Sequence, residues 1–306
     1  MNYKKLNEWN SGFHDWILKR HPKSNIKQNG FMGGFIFGER GTGKSTYCYK
    51  VQSKTYYSLN GYNKKDDEES AYKESLEYFF FDPSKFRRFL INNKLKRIIT
   101  PCICLDDASM HFGNMLHMTD PKVYSALLGE TATIRTAVTG FLINAPKRKH
   151  VAKFLRDYDD FKGRALVDGG GSIDDRQTWN RKIRFYRWNY YPDEVRYRIQ
   201  IPFQDKYSCY IPEPMYSWYV DKKNYYEIKH ELDVADRIDK TARIAFIENK
   251  HLLHEDFKPY IQKWEKEMVD EKQKTKMEEI HFKIKQENIK NKLEKIKERK
   301  NKDENG

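Results

Sequence analysis

Cysteine is scarce in this chain of 306 residues, with four in all at positions 48, 102, 104 and 209. Cys102 and Cys104 fall on one side of an apolar run, and no second pair stands at metal-ligand spacing. Buried thiols are therefore expected, and neither a disulfide framework nor a zinc site. Long hydrophobic runs are missing too: none approaches the roughly 20 residues that span a bilayer. The opening stretch MNYKKLNEWNSGFHDW has no apolar core of the kind a secretory signal needs. A cytosolic protein without a membrane partner is the expectation. There is no internal repeat. In the charged C-terminal stretch the apolar positions Met277, Ile280, Ile284, Ile289, Leu293 and Ile296 hold no single heptad register. That excludes a stable coiled coil and leaves a long, partly solvated helix. Acidic residues are in deficit, 44 against 58 Lys and Arg, for a net charge of +14. Residues 261–306 carry 14 basic against 11 acidic side chains, so most of the excess lies in the first 260 residues. An excess of that kind suits an anionic partner, nucleic acid first.

What is present is most informative at residues 31–48, FMGGFIFGERGTGKSTYC. The bulky run Phe35-Ile36-Phe37 is short and bounded by glycines, the pattern of a buried strand. Gly38 to Ser45 then fits G-x-x-x-x-G-K-[ST], and Thr46 follows. Phosphate must be wrapped closely by backbone N–H groups, and Gly38, Gly41 and Gly43 let a loop curl with no Cβ in the way. The helix expected from Lys44 adds its unpaired N-terminal donors and partial positive charge. Lys44 can reach the β- and γ-phosphates, and the Ser45 hydroxyl can ligate Mg²⁺. Residues Gly38, Glu39, Arg40, Gly41, Thr42, Gly43, Lys44, Ser45 and Thr46 form the expected nucleotide-binding loop.

Upstream, Leu6, Trp9, Phe13, Trp16 and Ile17 at helical spacing predict a short amphipathic helix ended near Pro22. Downstream, YFFFDPSKFRRFL predicts a strand at 78–81 and a helix opened by Pro83 and Ser84. ITPCICLDDAS supplies a buried strand ending in two carboxylates. VTGFLINAP supplies another, ending at Asn144 and stopped by Pro146. Strands separated by helical stretches indicate a mostly parallel sheet covered on both faces. DGGGSIDD at 168–175 marks a flexible loop. RKIRFYRWNY and VRYRIQIPF predict two strands joined around Pro192-Asp193. From Tyr225 onward the chain reads as helical. The expected organisation is an N-terminal helical segment at 1–30, a P-loop core at 31–168, a β-hairpin-rich extension at 169–232 and a charged helical tail at 233–306.

A triphosphate needs its metal held from a second side, and carboxylates at the end of a neighbouring buried strand can do that. Asp106 would face Mg²⁺ through water, and Asp107 would orient the attacking water. Asn144 could hydrogen-bond that water or the γ-phosphate. Arg135, Arg148, Arg156 and Arg164 are candidates to neutralise charge in the transition state, Arg156 first. On the predicted hairpin, alternation puts Lys182, Arg184, Tyr186 and Trp188 on one face, which Arg196 and Arg198 could share. Cations interleaved with aromatics could hold phosphates and stack bases. A solvated face with snorkelling arginines fits the same pattern.

Phosphate loop, double-Asp strand end and polar strand end, in that order, resemble the additional-strand class of P-loop ATPases, which includes the AAA+ and RecA-like groups. The stretches FGERGTGKSTYCYKV, SLEYFFFDPSKFRRFL, ICLDDAS, IRTAVTGFLINAPKRKHVAKFLRD and IPEPMYSWYVDKKNYYEIKHEL are similar to the DnaA-like AAA+ ATPases of crenarchaeal spindle-shaped viruses (fuselloviruses) and related plasmids. The resemblance covers roughly residues 30–232, with gaps. It implies an α/β P-loop core, ATP with Mg²⁺ as ligand, Lys44 and Ser45 on phosphates and metal, Asp106 on the metal and Asp107 as catalytic carboxylate. It further implies ATP hydrolysis linked to DNA in replication or maintenance of a virus or plasmid, a possible homo-oligomer, and the host cytoplasm as location if the protein is viral. Two departures stand out. Many relatives have Glu where Asp107 stands, and DDAS occupies a place where glycine often follows the acidic pair. No DnaA-type helix-turn-helix is evident at the C-terminus. A nucleotide-dependent binding switch with negligible turnover and a small-molecule kinase are the alternatives.

Overall fold

The structure, a computed structural model, describes residues 6, 8–23, 30–60, 66–113, 116–158, 160–169, 178–191, 196–237, 240–270 and 285. The chain divides into two compact units, residues 1–226 and 227–306.

The first unit is built on one sheet of eight strands. In chain order its elements are α1 (Gly12–Arg20), β1 (Met32–Phe37), α2 (Lys44–Leu59), α3 (Asp66–Glu77), β2 (Phe79–Phe80), α4 (Pro83–Lys96), β3 (Thr100–Leu105), α5 (Ala108–His111), α6 (Leu116–Thr119), α7 (Pro121–Thr131), β4 (Val138–Ala145), α8 (Lys153–Arg156), β5 (Phe161–Val167), β6 (Asn180–Tyr191), β7 (Arg196–Gln200), β8 (Gln204–Ser208) and the start of α9 (Met215–Arg237). The spatial order is β2-β3-β4-β1-β5-β6-β7, with β8 also on β6. The pairs β2–β3, β3–β4, β4–β1 and β1–β5 are parallel. β6 returns antiparallel to β5, and β7 and β8 pair antiparallel to successive halves of β6. The fold is therefore α/β with a mostly parallel sheet and an antiparallel hairpin joined to it along β5. The break between β7 and β8 divides what the sequence presents as a single second strand.

Strand β4 lies between β1 and β3. The register sets Ile36 beside Asn144 and Phe37 beside Ala145, and Leu105 beside Ile143. The carboxyl ends of the three strands therefore finish level, the place where ligands sit in open α/β sheets. The sequences explain the elements. β1 and β4 are buried almost throughout, as strands covered on both faces must be. Phe35 packs with Phe86, Phe112 and Phe141 on one face, and Ile36 with Phe13, Cys48 and Tyr47 on the other. Asp82 caps α4 through its carboxylate, with Pro83 in the first turn.

Helix α2 is buried on nearly all sides although its sequence is polar. Its polar groups are matched instead of exposed: Gln52 donates to the Ser75 carbonyl at 2.8 Å, Tyr56 to the Cys102 carbonyl at 3.0 Å, and Lys54 to the Leu6 carbonyl at 2.5 Å. All four cysteines are free and buried. No helix of the described residues is long and apolar enough to cross a membrane.

The second unit is helical where it is described. It holds the end of α9, α10 (Lys240–Glu248) and a helix over 258–270. Leu232, Phe257, Ile261 and Trp264 are buried in it. The Trp264 indole N–H donates to Asp236 at 2.7 Å, and Arg243 pairs with Glu267 at 3.0 Å. Residues 271–284 and 286–306, which hold the apolar series from Met277 to Ile296, lie outside the described residues.

Candidate nucleotide site

The loop between β1 and α2 has the backbone that its glycines predict. Gly38, Gly41 and Gly43 take φ values of +149°, +76° and +74°. Gly43 caps α2 in the left-handed region with no side-chain hydrogen bond, so the first N–H groups of α2 are not taken up by a capping side chain. The loop is backed closely: a Cβ on Gly43 would stand 2.6 Å from Cys209 Sγ and 3.2 Å from the Tyr207 hydroxyl. That hydroxyl lies 3.0 Å from the Gly43 carbonyl and 3.2 Å from the Thr42 carbonyl, and donates to them. Lys44 is buried, and its ammonium donates to the carbonyls of Gly38 at 3.1 Å and Glu39 at 2.8 Å. Burial lowers its pKa, and the charges of Asp107 and Asp106 oppose that shift.

Asp106 is fully buried at the end of β3. Asn144, at the end of β4, donates from Nδ2 to Asp106 Oδ1 and, at 3.3 Å, to Ser45 Oγ. Its Oδ1 accepts the Asp107 N–H at 3.1 Å. Tyr219 donates its hydroxyl to Asp106 Oδ2 at 3.0 Å. Burial, and then the neighbouring Asp107 charge, push the Asp106 carboxyl up to about 6, while Lys223, Ser45 and Asn144 pull the other way. Asp107 sits in the left-handed region at φ +42° and pairs with Lys223 at 2.5 Å. The structure thus brings Lys44, Ser45, Asp106, Asp107 and Asn144 to one edge of the sheet. Asn144 serves there as the joint between Ser45 and the acidic pair.

The arginines are dispersed. Arg156 ends the four-residue α8, its carbonyl accepting from Arg148 Nη2 at 2.9 Å, and its buried Nε has no hydrogen-bond partner among the described residues. Arg135 is exposed, and Arg164 is exposed on β5 beside Phe37.

On the hairpin, Lys182 pairs with Asp168 at 2.6 Å and Arg184 donates to Gln204 at 3.0 Å. The ladder sets Trp188 opposite Ile199, Asn189 opposite Arg198 and Tyr191 opposite Arg196. Directly opposed residues share a face, so Arg196 and Arg198 hold register positions out of phase with the Lys182–Arg184–Tyr186–Trp188 series. One face shared by all of them is not the arrangement this ladder gives. The side chains of Trp188, Arg196 and Arg198 lie outside the described residues.

Sequence reasoning missed Tyr219 and Lys223. They stand four apart in IPEPMYSWYVDKK, the spacing that puts two side chains on one helix face. That spacing marks a helix without saying that its target is the acidic pair. Among the described residues no group of three or more His, Cys, Asp or Glu side chains could hold a metal ion. The donor set at the site is a hydroxyl and a carboxylate, hard oxygen ligands of the type Mg²⁺ takes together with phosphate oxygens. The three positive-φ glycines and the loop lysine fit a phosphate chain in the same way.

No protein-family model matches the chain. Over 244 residues it is 26% identical to the uncharacterized protein B-251 of Sulfolobus spindle-shape virus 1, an alignment that spans 79% of this chain and 92% of the viral protein. Among solved structures it is similar to a KaiC-like protein of the hyperthermophilic archaeon Pyrococcus horikoshii OT3, with 11% identity, 55% of this chain and 89% of that chain covered, and a TM-score of 0.28.

Proposed function

We propose that the protein binds ATP with Mg²⁺ and hydrolyses it in the service of replication or maintenance of a viral or plasmid genome, as a DnaA-like member of the AAA+ group. One observation carries the nucleotide part. A glycine loop with its lysine, the Ser45 hydroxyl, the Asp106–Asp107 pair and the Asn144 amide come from four separate stretches and meet where β1, β3 and β4 end level. Hydrogen-bonded this way, they fit the phosphates of a nucleotide and its metal. Lys44 and the loop N–H groups bind the phosphates, and Ser45 and Asp106 would hold Mg²⁺. The metal, when bound, would neutralise charge on the phosphate oxygens. Asp107, released from Lys223, orients the attacking water. Asn144 keeps Asp106 and the Asp107 backbone in place. Arg156 of a neighbouring copy is proposed to reach the transferred phosphoryl group in a homo-oligomer. The viral relative and the net charge of +14 support a genome-linked role, with DNA contacted along the Lys182–Arg184 side of β6.

A second reading is favoured by one contact. The Lys223–Asp107 pair neutralises the carboxylate that hydrolysis needs, which suits a nucleotide-dependent switch of negligible turnover. Turnover measured with and without DNA separates the two readings. In the first, Lys44→Ala abolishes ATP binding or turnover, Asp106→Asn loses Mg-dependent affinity, and Asp107→Asn keeps ATP but loses turnover. Equal turnover by Lys44→Ala protein would sink the assignment.

A further inference from the structure

Arg181 is buried to 5% exposure at the start of β6, beside the phosphate loop. Its Cγ lies 3.4 Å from where a Cβ on Gly43 would stand. The guanidinium stacks on Trp179 at 4.4 Å from the ring centroid, and Trp179 Cζ3 is 3.7 Å from a Cβ placed on Gly41. The pair is held firmly. The Trp179 carbonyl accepts the Cys209 N–H at 2.7 Å, and Arg181 lies in register with Tyr207, the residue that grips the loop carbonyls. Yet the guanidinium is poorly satisfied. Nη1 donates to the Asn180 carbonyl at 2.8 Å, the buried Nε has no hydrogen-bond partner, and Arg181 makes no ion pair among the described residues. Cys209 is no counter-ion, because burial holds its thiol up at about 11.

A buried cation without an anion is costly, and so is a buried donor without an acceptor. Nothing in the packing of β6 calls for an arginine there. An anion arriving at the loop would remove both costs. The half-buried indole beside it offers an aromatic face of the type that stacks on any base.

We propose that Trp179 and Arg181 form the nucleoside side of the nucleotide site, Arg181 taking a phosphate oxygen on the loop's outer flank and Trp179 stacking on the base. This rests on the phosphate-loop reading above and adds to it a base contact that the loop motif does not encode. Stacking of this kind tolerates any base, so the site should bind ADP and GDP with similar affinity.

Calorimetric titration of the full chain with ADP and with inorganic pyrophosphate tests it. Trp179→Ala should weaken ADP roughly tenfold, since stacking of this type is worth about that much, and leave pyrophosphate within twofold. Trp179→Phe should keep most of the ADP affinity and the parent's melting temperature. Arg181→Gln should weaken ADP about fivefold or more, with Arg181→Lys recovering most of the loss. Unchanged ADP binding by Trp179→Ala overturns the proposal. So does an equal loss for ADP and pyrophosphate, which would report a damaged loop instead of a lost base contact. Lys44→Ala, measured alongside, loses both ligands; if it binds like the parent, the phosphate-loop reading falls and the base contact with it.

Discussion

Gly43→Ala tests whether the back of the phosphate loop is as tightly fitted as its geometry indicates. Alanine at φ +74° in the left-handed region costs about 1–2 kcal/mol. The new methyl would also meet Cys209 Sγ at 2.6 Å, with the Tyr207 hydroxyl at 3.2 Å and tied to the loop carbonyls. Overpacking of that order costs about 1–3 kcal/mol, toward the lower end here because a thiol can turn about one torsion. The expected loss is roughly 2–5 kcal/mol, in two separable parts. Cys209→Ala removes the clash and leaves the backbone strain. Urea unfolding of Gly43→Ala, Cys209→Ala and the double variant should therefore give a coupling of about 1–2 kcal/mol in favour of the double variant. Nucleotide affinity should stay low in both Gly43→Ala proteins, because the strained loop no longer aims its N–H groups. A loss under about 1 kcal/mol for Gly43→Ala, or strict additivity with Cys209→Ala, would refute the reasoning.

Lys223→Met should raise ATP turnover a few-fold by freeing Asp107; a fall would mean that Lys223 assists the phosphates instead of restraining the carboxylate. Lys50 is buried against the Ser208 and Tyr210 carbonyls at 3.0 and 3.1 Å, and burial lowers its pKa to about 8. The unfolded chain keeps that proton up to its ordinary pKa of 10.5. Between those values the unfolded state binds more protons, so this lysine makes stability rise with pH from about 8 upward. Urea midpoints from pH 8 to about 9.5 should climb in the parent and flatten in Lys50→Met; identical slopes would contradict the assignment. Arg156→Ala should cut turnover by about 10³ where arginine fingers are a guide. Mixed with Lys44→Ala subunits it should recover activity, whereas a mixture as inactive as its parts would place Arg156 outside the neighbouring site.

The loop and the two strand ends were legible because each is a local pattern with one physical solution. Three glycines before a lysine need positive φ, and an apolar run closed by carboxylates must end at solvent or at a site. The rank of the strands was less so. That β4 separates β1 from β3 follows from pairing across about a hundred residues, which no window of sequence contains. Arg181 is an arginine on an alternating strand like Lys182 or Arg184, and only the register shows it turned inward toward the loop while they face outward. Lys223 lies in a helix whose charges look solvated. For Arg196 and Arg198, alternation was read correctly within each strand. The relative phase of the two strands is set by the connection between them, which composition does not reveal.

The hydrogen bonds that complete the site join residues far apart in the chain: 38 positions from Asp106 to Asn144, 99 from Ser45 to Asn144 and 113 from Asp106 to Tyr219. Closing loops of that length comes late in folding and slows it. As the chain leaves a ribosome, the glycine loop emerges early, but its acidic partners stay uncovered until α9 has been made. A chain cut short before Tyr219 would leave Asp106 without one of the donors that make its burial tolerable. The competence to hold nucleotide and the completion of the first unit are thus one event, and nucleotide present during refolding should speed only the last step of assembly.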